Sequence, residues 1–420
     1  MRMNSFLPLI GMIAILLPSI GSVGVEEQTA PEAVQMSTER LARLEKHFQH
    51  YVDRGLLPGL TTLVARKGEV VHFKTYGEMN LERREKMQED TIFRLYSMTK
   101  PVTGVALMML YEEGKFKLTD PVEKYLPEYK NMQVYEGIDA ENRMVTAPAK
   151  RPMTIQDLMR HTSGLTYGVF GDTPVDKAYR GAGLFEPAQN LEELSEKLGS
   201  LPLLYHPGER WVYSLSVDIQ GRLIEVLSGK TLDVFFEDHI FKPLGMKDTG
   251  FHVPNEKHNR FVELYALDDK GGMAPYRGEF YMEQHEKPTL FSGGGGLVST
   301  TLDYWRFAQM LGNGGEFNDV RLLSPKTIEL MTINHLPEGV KGLREYQQGF
   351  GLDFLVVQDV ASLGTAGSVG EYNWGGLANT IFWVDPEEEI VAILMTNVVP
   401  SGVYPLREEM RQMVYQAIID

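Results

Sequence analysis

Apolar residues recur at helical spacing from Thr38 to Val52, where Leu41, Leu44, Phe48 and Tyr51 share one face. The period then shortens to two. From Leu60 to Gly77 apolar and polar positions alternate on either side of Gly68-Glu69, which predicts a β-hairpin. Helical spacing returns at Ser97 to Glu113: Val102, Val105, Ala106, Met109 and Leu110 form a stripe suited to burial, and Gly114 marks the stop. Between residues 120 and 345 short helices alternate with long Gly/Pro-rich connections, and Leu215 to Leu227 and Leu302 to Leu311 are the clearest helices. Strand patterns reappear at Gly349 to Val356, Asn379 to Val384 and Ile390 to Asn397. An amphipathic helix, Pro405 to Ile419, follows.

Strands at both ends with helices between them predict a mixed α/β (α+β) chain whose sheet is assembled from its two termini and carries a largely helical insert. Nothing repeats at a fixed period, and no linker after residue 38 separates independent domains. The expectation is one unit, 38–420, of two packed lobes. Ahead of it Arg2 precedes an uncharged apolar run from Phe6 to Val25 that Glu26-Glu27 closes. A basic start, an apolar middle and small residues such as Ser22 and Gly24 predict a signal peptide over 1–24 and a polar linker over 25–37. The protein is then expected to be exported, periplasmic or extracellular, with no stable membrane span after leader removal. If the leader is not cleaved, the same segment is a membrane anchor, since the run is nearly long enough to span a bilayer.

Charge and cysteine content narrow the chemistry. The formal net charge of −16 gives a surface that repels nucleic acid, so a phosphate-backbone partner is not expected. The absence of cysteine removes thiolate nucleophiles, disulfides and cysteine-based zinc sites.

One tetrapeptide offers a nucleophile. Ser97-Met98-Thr99-Lys100 is the only Ser-x-x-Lys in the chain, and it opens a predicted helix, where a spacing of three stacks both side chains on one face. A serine hydroxyl needs a base within hydrogen-bonding reach, and a lysine one turn away can be that base or tune another. Pro101 fits a first helical turn, where a missing N–H costs least. By itself such a tetrapeptide arises by chance about once or twice in a chain of this length. Two further segments gain meaning only beside it. Tyr213-Ser214-Leu215-Ser216 follows Pro207-Gly208, although a lone tyrosine there is more often a core aromatic. Trp374-Gly375-Gly376-Leu377 precedes a late strand, and paired glycines let a ligand approach backbone N–H groups, although an ordinary glycine turn would look the same.

Together these three segments resemble the serine β-lactamase and D,D-peptidase superfamily, and within it the class C β-lactamases and family VIII carboxylesterases. Leu158 to Leu165, Pro243 to Met246 and Gly293 to Thr300 add to the likeness, which runs in order from Thr38 to the C-terminus. The resemblance implies a mostly antiparallel sheet flanked by helices and packed against an α-rich lobe. It also implies Ser97 as acylating nucleophile, Lys100 as its partner and Tyr213 as proton relay, with Tyr213 and Lys100 both open as the primary base. The backbone N–H groups of Ser97 and Leu377 match the oxyanion hole. No cofactor and no metal are implied.

The departures concern substrate. The third motif of β-lactamases starts with a cation and a hydroxyl residue, and here Trp374, Gly375 and Gly376 stand instead. The asparagine of the second motif, which meets an acylamino arm, is replaced by Leu215, and the resemblance implies Trp374, Gly375, Gly376 and Leu215 as the substrate-binding positions. Trp-Gly-Gly resembles the pattern of family VIII carboxylesterases, which implies a small neutral ester with a short acyl chain as substrate. The rival is a β-lactam or cell-wall peptide substrate, and a non-catalytic peptidoglycan- or partner-binding protein is the reading from another class. No serine lies in Gly-x-Ser-x-Gly, which sets aside the α/β-hydrolase elbow. His161 is expected to order its loop rather than act as a base.

Overall fold

The computed structural model describes residues 28–186, 188–343 and 348–420. The leader expected over 1–24 and the start of the linker fall outside these residues.

Helix α1, Thr38–Asp53, starts at Ser37, whose side chain accepts the Arg40 N–H and so satisfies one of the free donors of the first turn. It leads into strands β1, Gly59–Arg66, and β2, Glu69–Asn80, the hairpin expected around Gly68. The short strand β3, Glu85–Lys86, ends this N-terminal contribution. The C-terminal third adds β4, Gln348–Phe350, β5, Leu355–Val357, β6, Tyr372–Gly375, β7, Ile381–Asp385, and β8, Ile390–Thr396. All pair antiparallel in the order β4-β5-β6-β7-β8-β1-β2-β3, so β8 beside β1 joins the two ends of the chain. The single strand expected over Gly349 to Val356 is in fact the hairpin β4–β5. Asp353 takes a left-handed φ of 65° between the two, which the apolar run conceals.

Both faces of this sheet are covered, and β8 shows it residue by residue. Val391, Ile393 and Met395 enter the main core, while Ile390, Ala392 and Leu394 enter a second one. That is the period-two alternation of a strand buried on both sides. The second core is closed by α1 and by α5, Leu406–Tyr415, which lie together on one face. The stretch expected to be a linker reaches this core too. Val34 and Met36 are buried in it, Ser37 N–H bonds the Ala417 carbonyl, and Met36 bridges to Ile418.

Of the helices that contribute to the main core, three position the site: α2, Thr99–Glu112, α3, Ser216–Ser228, and α4, Thr301–Gly312. Helix α4 lies on β7 and β8, and α2 packs against α3. The stripe expected on α2 is too narrow a description. Every residue from Thr99 to Met108 is buried, and of the expected stripe only Met109 is partly exposed. A helix enclosed on all sides is a rigid base for whatever stands at its start.

Candidate active site

Ser97 lies in the 3₁₀ turn Tyr96–Met98 that runs directly into α2. The preceding residue pays for that presentation: Tyr96 has a φ of 46°, a conformation that costs a bulky residue about 1–3 kcal/mol. Its ring is buried and its hydroxyl donates to the Phe280 carbonyl at 3.0 Å, which holds the turn in place.

Two side chains, one from α2 and one from a segment more than a hundred residues on, converge on the Ser97 oxygen. Tyr213 Oη lies 2.6 Å from Ser97 Oγ, and Lys100 Nζ donates to the same oxygen at 3.2 Å. The Lys100 ammonium has two more acceptors, Tyr167 Oη at 2.9 Å and the Gly294 carbonyl at 2.6 Å. Three N–H donors thus meet three acceptors. That satisfies a buried ammonium without a carboxylate in contact with it. Lys100 is only 1% exposed, and its charge lies 4.7 Å from the centre of the Tyr213 ring.

The Gly294 carbonyl is itself held. Asp218 on α3 accepts the Gly294 N–H at 3.1 Å and the Ser292 hydroxyl at 2.6 Å. Thr103 on α2 donates to the Gly293 carbonyl at 2.7 Å. A Cβ on Gly294 would stand 2.5 Å from Asp218 Oδ2, so this close seat requires glycine. Burial pushes the Asp218 carboxyl up, and the Ser292 hydroxyl and the Lys100 charge oppose it.

Aromatic rings surround Tyr213. Its neighbours are Tyr167 and His161 at 5.1 Å, Trp374 at 5.5 Å, Phe170 at 5.8 Å and Trp211 at 6.2 Å between ring centres. Phe170 is 67% exposed and forms an apolar lip, whereas Trp374 is buried against Phe350 as well as Tyr213. Burial raises the Tyr167 phenol well above its ordinary value, as does neighbouring Tyr213, so Tyr167 stays a neutral hydroxyl. His161 is fully buried at a left-handed φ of 55°, and its Nδ1 meets Ser214 Oγ at 3.1 Å. Burial and the Lys100 charge push its pKa well below the usual range. A neutral, enclosed imidazole orders this loop.

Most of the residues singled out in the sequence meet here, with one correction. Leu215 is wholly enclosed in the main core as the residue that starts α3, so it presents no surface to a substrate. Gly376 lies where a Cβ would be 2.3 Å from the Leu95 carbonyl, which brings the end of β6 against the turn that carries Ser97. Leu377 packs against the small apolar cluster of Tyr96, Leu264, Ala378 and Val399. Among the described residues, neither the Ser97 nor the Leu377 N–H makes a backbone hydrogen bond. The sequence reading missed Tyr167 and Asp218. Tyr167 lies two residues past the Leu158 to Leu165 segment, between Gly164 and Gly168, both with positive φ, and this glycine bracket was the available signal. Asp218 gave none, because an acidic residue in a first helical turn is ordinary.

A half-open cleft of about 260 Å³ lined by Asp233, His252, Lys287 and Phe291 includes none of these residues. Its acids are already paired, Asp233 with Lys287, Glu237 with Lys242 and Asp248 with Lys257.

A serine at the foot of a buried helix, with a lysine and a tyrosine on its oxygen and a covered antiparallel sheet behind, defines the serine hydrolases of the β-lactamase and penicillin-binding-protein fold. The chain belongs to the beta-lactamase family, whose model matches residues 44–415. An uncharacterized protein of Mycobacterium tuberculosis is 34% identical over 83% of this chain and 88% of its own length. Esterase EstB of Burkholderia gladioli is 28% identical over 92% of this chain and 98% of its own. Among solved structures, EstCE1, described as a hydrolase with promiscuous acyltransferase activity, superposes with a TM-score of 0.76 at 27% identity. It covers 90% of this chain and 99% of its own.

Proposed function

We propose that this serine hydrolase is a carboxylesterase that cleaves small neutral esters through an acyl-enzyme on Ser97. The observation that carries this reading is the pair of contacts on Ser97 Oγ, Tyr213 at 2.6 Å and Lys100 at 3.2 Å. Because the three donors of the Lys100 ammonium are matched, Lys100 acts as a fixed cation and Tyr213 moves the proton. In the resting arrangement Tyr213 donates to Ser97 Oγ; in the reactive state the phenol proton has left to solvent and the Ser97 hydroxyl donates to Tyr213 Oη instead. As Ser97 Oγ bonds the ester carbonyl carbon, its proton passes to Tyr213. Tyr213 then gives that proton to the departing alcohol oxygen as the C–O bond breaks. In the second half a water attacks the acyl carbon, loses a proton to Tyr213 and frees the acid, and the proton returns to Ser97. The developing oxyanion is met by the Ser97 and Leu377 N–H groups, donors of a kind typically worth about 3–4 kcal/mol each.

The aromatic lining supports a neutral ester. Phe170, Tyr167 and Tyr213 offer an apolar surface, and Trp374 and Gly375 bring no cation or hydroxyl to a substrate carboxylate. EstB, named as an esterase, agrees with this choice. The direct test is a fluorophosphonate probe with p-nitrophenyl acetate and butyrate. Wild type should hydrolyse both and be labelled at Ser97, while Ser97→Ala should do neither and remain folded. Labelling at another serine with activity retained would overturn the assignment.

We also infer export, with the leader over 1–24 removed, from the basic start and apolar run of the sequence. The N-terminal sequence of protein recovered from the periplasm or medium tests this. A chain still beginning at Met1 would refute it.

A further inference from the structure

The third motif lacks its cation in sequence, yet a guanidinium stands beside it in space. Arg407, in the first turn of α5, donates through Nη2 to the Gly376 carbonyl at 2.6 Å and to the Thr380 carbonyl at 3.0 Å. It reaches them because residue 375 is glycine. A Cβ there would lie 2.6 Å from Arg407 Cζ and 2.7 Å from Nη2, so any side chain at this position would expel the guanidinium. The Thr380 carbonyl also accepts the Gly376 N–H at 2.9 Å, which closes the loop 376–380 on itself.

The Gly376 carbonyl and the Leu377 N–H belong to one planar peptide unit. A charge-assisted hydrogen bond to the carbonyl oxygen draws electron density across that unit, fixes its plane and strengthens the N–H as a donor. We propose that Arg407 is a positioning residue for the oxyanion hole, polarising and orienting the peptide whose N–H is Leu377. This rests on the reading of Leu377 N–H as an oxyanion donor. Gly375 is then more than a missing hydroxyl. It is the space that turns the nearby cation away from the substrate and onto the backbone. One arrangement accounts both for a strong donor and for the lack of a carboxylate-binding group.

The test compares Arg407→Leu with wild type on p-nitrophenyl butyrate and on phenylboronic acid, whose tetrahedral Ser97 adduct places an oxygen in the oxyanion hole. Weakening a donor costs less than deleting one, so kcat should fall about 10- to 100-fold while KM stays within about threefold. The inhibition constant of the boronic acid should rise in proportion to the loss in kcat/KM. If the leucine variant does not fold, Arg407→Gln decides by the same two readings, since it keeps a neutral donor but no charge. An unchanged kcat and boronate affinity in a folded variant overturns the role of Arg407 while the esterase reading stands. A loss confined to KM does the same. A wild type that neither hydrolyses the ester nor is labelled at Ser97 refutes the esterase reading itself, and the two failures are thereby separated.

Discussion

The hydroxyl of Tyr213 stands 2.6 Å from Ser97 Oγ, although 116 residues separate the two in sequence. The lysine three residues from the same serine stands farther off, at 3.2 Å, with its other donors already engaged. Proximity in sequence would favour Lys100 as the base. In the proposed mechanism the proton therefore goes to Tyr213, and Lys100 holds charge beside it.

Tyr213→Phe removes the proton carrier and keeps the ring that packs against Trp374 and Tyr167. Turnover on a butyrate ester should fall by about two to four orders of magnitude, the range for loss of a general base, with KM much less affected. Steady-state kinetics on the purified variant measure it. A loss below about tenfold would return the role of base to Lys100 or to a water.

Tyr167→Phe takes away one of three acceptors of the Lys100 ammonium and leaves a buried N–H unmatched, a cost of about 1–3 kcal/mol. Part of it should appear as lower thermal stability and part as a fall in kcat smaller than that of Tyr213→Phe. Labelling of Ser97 by a fluorophosphonate should persist at a reduced rate. A Tyr167→Phe defect as deep as that of Tyr213→Phe would make Tyr167 a proton carrier as well.

Substrate choice follows from Trp374, Gly375 and Arg407. A β-lactam carboxylate is costly to bury without a cation or hydroxyl to meet it, and here the guanidinium beside the motif is turned to the Gly376 and Thr380 carbonyls. Each missing charge-assisted contact is worth about 1.5–3 kcal/mol. Catalytic efficiency on a butyrate ester should therefore exceed that on penicillin G by at least about a thousandfold. Kinetics with both substrates decide it, and a preference for penicillin would promote the β-lactamase reading.

Asp157 ties the loop of His161 to the body of the protein. It accepts from Arg151 at 2.5 and 3.0 Å, from Arg160 at 2.9 Å and from the Thr162 hydroxyl at 2.9 Å, and it closes a capping box with Thr154. Burial pulls its pKa upward, but Arg151, the Thr154 N–H and Arg160 outweigh it and hold the carboxyl at about 2 against an ordinary 3.8. Folding thus favours the carboxylate. The stabilisation, about 2–3 kcal/mol, is present above pH 4 and is lost as pH falls toward 2. Urea midpoints between pH 2 and 5 should drop less steeply for Asp157→Asn, which lacks this carboxylate, than for wild type. Parallel slopes would contradict the assignment.

What the sequence determined by itself is whatever local periodicity and spacing encode. The pattern of α1, the β1–β2 hairpin, α2 with its Gly114 stop, and the strands β7 and β8 were legible because each side chain repeats at the period of its element. Ser97, Lys100, Tyr213, Trp374 and the glycines after it were legible because three short motifs occur in order. Tertiary structure alone decided the rest. The turn at Asp353 was hidden because an apolar hairpin and an apolar strand read alike. Leu215 was expected to bind substrate because a motif position gives no direction, and packing sends that side chain inward. Asp218 and Arg407 carry no local signal at all. Each acts through backbone carbonyls or N–H groups supplied by a distant part of the chain, and hydrogen bonds to backbone leave no trace in the identity of the residue that receives them.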